Sequence, residues 1–146
     1  MRILTGHIAA IAAAFDLPES AREVQDVVSR YDEQPVRDNT FDDVGYVEYT
    51  TSGLALMFTE TLLSSVFVYV LADEGFTAYA DRTGFIDGID LAVSTRDDVR
   101  AVVGEPYRSQ ADFDLFRIQD RRVLHVTFDD GRIRLITVMA RDVSER

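Results

Sequence analysis

The chain predicts an α+β domain of two tandem helix–three-strand antiparallel units, forming one sheet layer with the helices packed on one face. The first observation is a near-repeat. Ala21-Arg22-Glu23-Val24-Gln25-Asp26-Val27-Val28 is echoed by Thr95-Arg96-Asp97-Asp98-Val99-Arg100-Ala101-Val102-Val103, with the valines in step at an offset of 75. Second, each segment runs into a proline, Pro35 or Pro106. Third, three strand-like stretches follow each proline, and Leu54-Ala55-Leu56-Met57-Phe58 matches Leu124-His125-Val126-Thr127-Phe128 at an offset of 70. One such unit cannot bury its own apolar face, so two share a core. The 146 residues read as a single domain: an N-terminal helix at 1–15, unit one at about 16–72, a linker at 73–94 and unit two at about 95–140.

Taken in order, Leu4, Ile8, Ile11 and Phe15 fall on one face of an N-terminal helix. Asp16 with Glu19, or Ser20 with Glu23, forms a capping box for a second helix that turns Ala21, Val24, Val28 and Tyr31 inward. Pro18 fits only near its first turn. Asp32 to Asp43 is polar, contains Pro35 and reads as a loop. Val44 to Thr51, Leu54 to Phe58 and Ser65 to Ala72 are the first meander, with turns at Ser52-Gly53 and near Thr61. Gly75, Gly84 and Gly88 break the linker that carries Phe76, Tyr79 and Phe85. Thr95 caps the next helix with Asp98 three residues on; Val99, Val102 and Val103 turn inward, and Gly104 and Pro106 end it. Phe113 to Gln119, Arg122 to Phe128 and Arg132 to Ala140 are the second meander, with Asp129-Asp130-Gly131 as a hairpin turn.

Charge narrows the partners. The net charge is −11, and arginine replaces lysine throughout. Such a surface repels nucleic acid and anionic membranes and attracts basic proteins, besides keeping the chain soluble. Cysteine is absent, so no disulfide, thiolate metal site or lipid-anchoring cysteine is expected. Gly6 and His7 interrupt the only apolar N-terminal stretch, which argues against a signal peptide and for a cytoplasmic location.

Catalytic groupings are not evident. His7 and His125 lack metal-ligand spacing, and no nucleophile elbow or phosphate loop occurs. Adjacent carboxylates at Asp42-Asp43, Asp97-Asp98 and Asp129-Asp130 sit at turns or helix starts, where capping explains them. The chain is therefore expected to be no enzyme and to carry no cofactor or metal. Tyr46, Tyr49, Phe67, Tyr69, Phe76, Tyr79 and Phe85 divide between core and contact surface, since tyrosine offers large area at low entropic cost.

A resemblance adds a function. Phe76-Thr77-Ala78-Tyr79, then Gly88-Ile89-Asp90-Leu91 and Ser94-Thr95-Arg96-Asp97-Asp98-Val99 through Val103-Gly104-Glu105-Pro106, followed by Asp129-Asp130-Gly131-Arg132-Ile133, resembles a group of small bacterial toxin-immunity-like proteins. The tandem helix–glycine–proline element is similar to that of the β-lactamase inhibitor protein and of small outer-membrane assembly lipoproteins. Asp81-Arg82-Thr83-Gly84 departs from the immunity-like group, which tends to a glycine–leucine–proline stretch there. The resemblance implies a cytoplasmic protein that binds and blocks a cognate secreted toxin, a basic one given the charge, such as a nuclease. A non-catalytic adaptor or assembly-chaperone-like module is the alternative. The partner contact is then expected at Asp42, Asp43, Glu48, Asp81, Asp87, Asp112 and Asp114, with Tyr46 and Tyr79 as anchors, projecting from loops at one end of the domain.

Overall fold

In the computed structural model, which describes residues 2–39 and 42–142, two helices, four strands, a third helix and four more strands follow in turn and build an α+β fold on one eight-stranded antiparallel sheet. The helices are α1 (His7–Ala14), α2 (Arg22–Val28) and α3 (Arg96–Val103). The strands are β1 (Val36–Asp38), β2 (Val44–Tyr49), β3 (Leu54–Thr59), β4 (Leu62–Tyr69), β5 (Arg108–Ser109), β6 (Phe113–Ile118), β7 (Arg122–Asp129) and β8 (Arg132–Met139). They lie in the order β1-β2-β3-β4-β8-β7-β6-β5, so β4 and β8 join the two halves.

All six expected strands are present. The two additional ones, β1 and β5, are short edge strands in segments that read as loops, because three and two residues carry no periodicity. The run 40–41 of the expected first loop lies outside the described residues.

Alternation gives the sheet two unlike faces. Val47, Leu56, Val66, Val138, Leu124 and Phe116 are successive register partners across β2, β3, β4, β8, β7 and β6. They share one core with Ile8, Ile11, Val24, Val27, Val99 and Val103 of the helices. Ala55, Leu115 and Val123, on the other face, are buried yet lie outside that core. The helices thus cover one face; the other is bare of helices and meets only the linker, where Phe76 stacks on Tyr69 with ring centroids 4.1 Å apart.

The hairpins β3–β4 and β7–β8 are built alike. Met57 pairs with Ser65 and Phe58 with Leu63 across a bulge; 70 residues later Thr127 pairs with Leu135 and Phe128 with Ile133 across another. Both turns hold two residues at positive φ: Glu60 and Thr61 at 50° and 69°, Asp130 and Gly131 at 51° and 78°. The helices match less well. Val24 and Val27 are buried in α2, whereas Val99 and Val103 are buried in α3.

Helix ends follow local chemistry where it exists. Thr95 Oγ1 accepts from the Asp98 N–H at 3.3 Å and Asp98 Oδ2 accepts from the Thr95 N–H at 2.9 Å, completing the expected capping box. Neither expected box forms at α2, whose cap is Ala21. Asp16 has a better use there: it takes ion pairs from Arg122 at 2.9 Å and Arg141 at 2.7 Å. The N-terminal helix is shorter than expected; Met1 lies outside the described residues, and Gly6 at φ 103° starts α1 at His7. Leu4 instead runs extended, exchanging hydrogen bonds with the Gln119 amide at 2.9 and 2.6 Å.

Candidate binding surfaces

The short α2 leaves part of the inner sheet face uncovered near β1 and β2, which opens a cleft of about 1040 Å³. Its floor is apolar, formed by Pro18, Val47 and Phe58. Its rim carries the carboxylates of Glu19, Asp42, Asp43 and Glu60 and one guanidinium, Arg37. Arg37 is held by Glu19 at 2.8 Å. The Glu60 N–H donates to the Asp43 carbonyl at 2.8 Å, fixing the β3–β4 turn against the loop before β2. An apolar floor under a carboxylate rim accommodates a cationic side chain, stem below and head above.

The expected contact residues separate. Asp42 and Asp43 are exposed at this cleft. Tyr46 and Glu48 alternate with Val47 and therefore lie half-buried on the bare face. Asp112 is exposed at the opposite end of the strands, where its carbonyl accepts from the Phe128 N–H. Asp81 is exposed and closes a turn by accepting from the Gly84 N–H at 3.0 Å, and Asp87 is exposed further along that linker. The set therefore forms no single patch at one end.

Two of these expectations are corrected. Asp114 is fully buried, because its register partner is the core residue Val126 and alternation turns it inward with Phe116 and Ile118. Arg100 donates to it at 2.9 and 3.0 Å, Ser109 at 2.6 Å, and Arg96 adds a charge at 3.2 Å. Burial alone raises its pKa, but these donors and charges outweigh it and hold the carboxyl below the usual range. Tyr79 is buried too, its hydroxyl 2.7 Å from that of Tyr31. The signal for Asp114 was present: Arg96 and Arg100 are one helical turn apart and aim two cations at one strand. Glu19 and Glu60 gave none, since only the fold brings them to Asp42 and Asp43.

The histidines stay apart. His7 is buried between Tyr31 and Phe85, and neither ring nitrogen has a hydrogen-bond partner. Burial, helped by Arg30 and opposed by Asp81, lowers its pKa to about 4. His125 is half-buried on the bare face, 4.8 Å from the Phe113 ring centroid, and burial lowers its pKa as well. Among the described residues no three His, Asp or Glu side chains gather to hold a metal ion, and no helix is long and apolar enough to cross a membrane. Compared with family models, curated proteins and solved structures, the chain matches none.

Proposed function

We propose that this chain is a protein-binding antidote, which blocks a basic secreted toxin in the cell that makes it. The observation that carries the reading is the cleft between α2 and β1–β3, where four carboxylates rim an apolar floor and the one cation is already engaged by Glu19. On a chain of net charge −11, that concavity favours a cationic protuberance of a protein partner. The scaffold in this reading is a duplicated helix-and-meander unit, supported by the matched bulges and turns of β3–β4 and β7–β8. Its role is non-catalytic and cytoplasmic. The contact centres on Asp42 and Asp43 with Glu19 and Glu60, rather than on acids spread over both ends of the sheet.

Co-expression tests it. The chain is produced with the toxin-like product of a neighbouring gene, and growth rescue and co-purification are scored. Rescue that falls with charge reversal at Asp42 and Asp43, with circular dichroism unchanged, supports the reading. Absence of rescue against every neighbouring secreted effector defeats it. Rescue and salt dependence of association that ignore both reversals defeat the cleft as the contact.

A further inference from the structure

Arg37 and Glu19 hold each other at the rim of the cleft in a forked pair. Arg37 is the register partner of Val47, so its side chain stands on the helix-covered face, at the β1 edge of the cleft floor. Its Nη1 donates to Glu19 Oε1 at 2.8 Å, and its Nη2 stands 2.8 Å from Oε2. Both carboxylate oxygens are thus aimed at one planar guanidinium. Glu19 is set in place by other parts of the fold. Gln25 Nε2 donates to its carbonyl at 2.7 Å, and the residues before it are tied to β4, where the Leu63 N–H donates to the Leu17 carbonyl at 2.9 Å. Arg37 is the looser partner, 51% exposed and carried by an edge strand of three residues.

The remaining carboxylates of the cleft have no cation. Among the described residues, no ion pair engages Asp42, Asp43 or Glu60. Nor do three of these acids gather closely enough to hold a metal ion. They stand around a floor that includes Val47 and Phe58, only 5% and 7% exposed. Acids spread around an apolar floor suit a long cationic side chain, whose stem covers the floor while its head meets the rim. The walls are in place before a partner arrives, because the Glu60 N–H already donates to the Asp43 carbonyl.

We infer that the cleft receives an arginine side chain of the partner, and that Arg37 is its resident stand-in, exchanged at Glu19 for the incoming guanidinium. This rests on the antidote reading and names the residue that the toxin presents. Glu19 keeps a forked partner throughout the exchange. The incoming charge is shared with Asp42, Asp43 and Glu60, which Arg37 leaves unpaired. The exchange is easy, because an exposed ion pair shifts an equilibrium by about fivefold at most. While Arg37 is seated, the apparent affinity is reduced to the fraction of chains in which Glu19 is free. A lysine offered by the partner supplies a point charge and does not reproduce the fork.

The test titrates the full chain with acetyl-Gly-Arg-Gly-amide and with the matching lysine peptide, at constant ionic strength, and follows proton–nitrogen NMR signals. The arginine peptide is expected to shift the Asp43, Val44 and Glu60 amides and the Arg37 Nε signal, and to bind about threefold tighter than the lysine peptide or better. Arg37→Gln, with circular dichroism and melting unchanged, tightens arginine-peptide binding about two- to fivefold. That gain disappears in the Glu19→Gln background, whereas a mere change of net charge acts in both. Equal affinity for the two peptides overturns the inference. So does binding that Arg37→Gln leaves unchanged or weakens, a gain that persists without Glu19, or an Arg37 Nε signal that does not move. Growth rescue with equal peptide affinities keeps the antidote and removes the arginine seat; the expected peptide preferences without rescue do the reverse.

Discussion

Phe67 of β4 and Thr137 of β8 are register partners at the centre of the sheet, and they stand 70 residues apart. The same interval relates the bulges and turns of the hairpins β3–β4 and β7–β8. The seam therefore pairs β4 antiparallel to β8, and a local two-fold normal to the sheet relates the two hairpins. This is why the loop before β2 and the loop before β6 project at opposite ends and not together. It also separates Asp42 and Asp43 from Asp112 by the length of the strands.

The two turns differ in one residue that matters. Thr61 holds φ 69° where its counterpart Gly131 holds 78°. A β-branched side chain in the left-handed region costs about 1–2 kcal/mol, against an entropic penalty for glycine of about 0.5–1 kcal/mol. Thr61→Gly is expected to stabilise the protein by about 0.5 kcal/mol or slightly more, and Gly131→Thr to destabilise it by a similar or larger amount. Urea unfolding of both variants checks the opposite signs.

Gly53 is required by contact as well as by conformation. It has φ 78°, and a Cβ there meets the Thr77 carbonyl and lies 2.8 Å from the Tyr79 N. Those atoms belong to the linker, which hangs from β4 through the Tyr79 N–H to the Tyr69 carbonyl at 2.8 Å. Gly53→Ala is expected to cost more than about 2 kcal/mol, since backbone atoms have no rotamer with which to yield. An unchanged denaturation midpoint would remove this account of the linker.

Asp114 neutralises two guanidiniums that are themselves partly solvated, Arg96 at 27% and Arg100 at 30% exposure. Asp114→Ala is expected to cost about 2–3 kcal/mol, less than the 3–5 kcal/mol of a wholly buried pair. Its carboxyl pKa is lowered in the fold, so its contribution is complete above the ordinary aspartate range. It is lost as pH falls through the lowered value. The acid limb of stability in Asp114→Asn should therefore be shallower than in the parent.

His7 acts over a different window with the same sign. Its pKa falls from 6.5 to about 4 on folding, so below pH 6.5 the unfolded chain binds the extra proton. Stability is expected to decline from pH 6.5 towards pH 4, by at most about 3 kcal/mol from this residue. His7→Leu should flatten that interval while leaving the lower-pH loss at Asp114 in place. Unfolding curves measured at half-unit steps of pH decide it.

Much of this was legible in sequence because local rules agree with the fold. Thr95 with Asp98 capped a helix, Gly104 ended it, and Asp130-Gly131 turned a hairpin. Local rules failed where a distant partner offered more. Asp16 gave up capping for two arginines beyond residue 120, and Leu4 left the helix for the Gln119 amide. Glu33, which carries no signal of its own, accepts from the Thr51 and Ser52 N–H groups at 2.9 Å each and pins the first loop to the β2–β3 turn.

By itself the sequence determined the existence of the three helices and of the six longer strands, their antiparallel class and the acidic character of the chain, because periodicity, capping and charge are properties of neighbours along the chain. Only the tertiary structure decided which carboxylates meet. Strand alternation and the β4–β8 seam sent Asp114 into the core, Glu48 to the bare face, and Asp42 to a cleft with Glu19 and Glu60. Those assignments depend on register between strands far apart in the chain, and a shift of one residue exchanges the two faces.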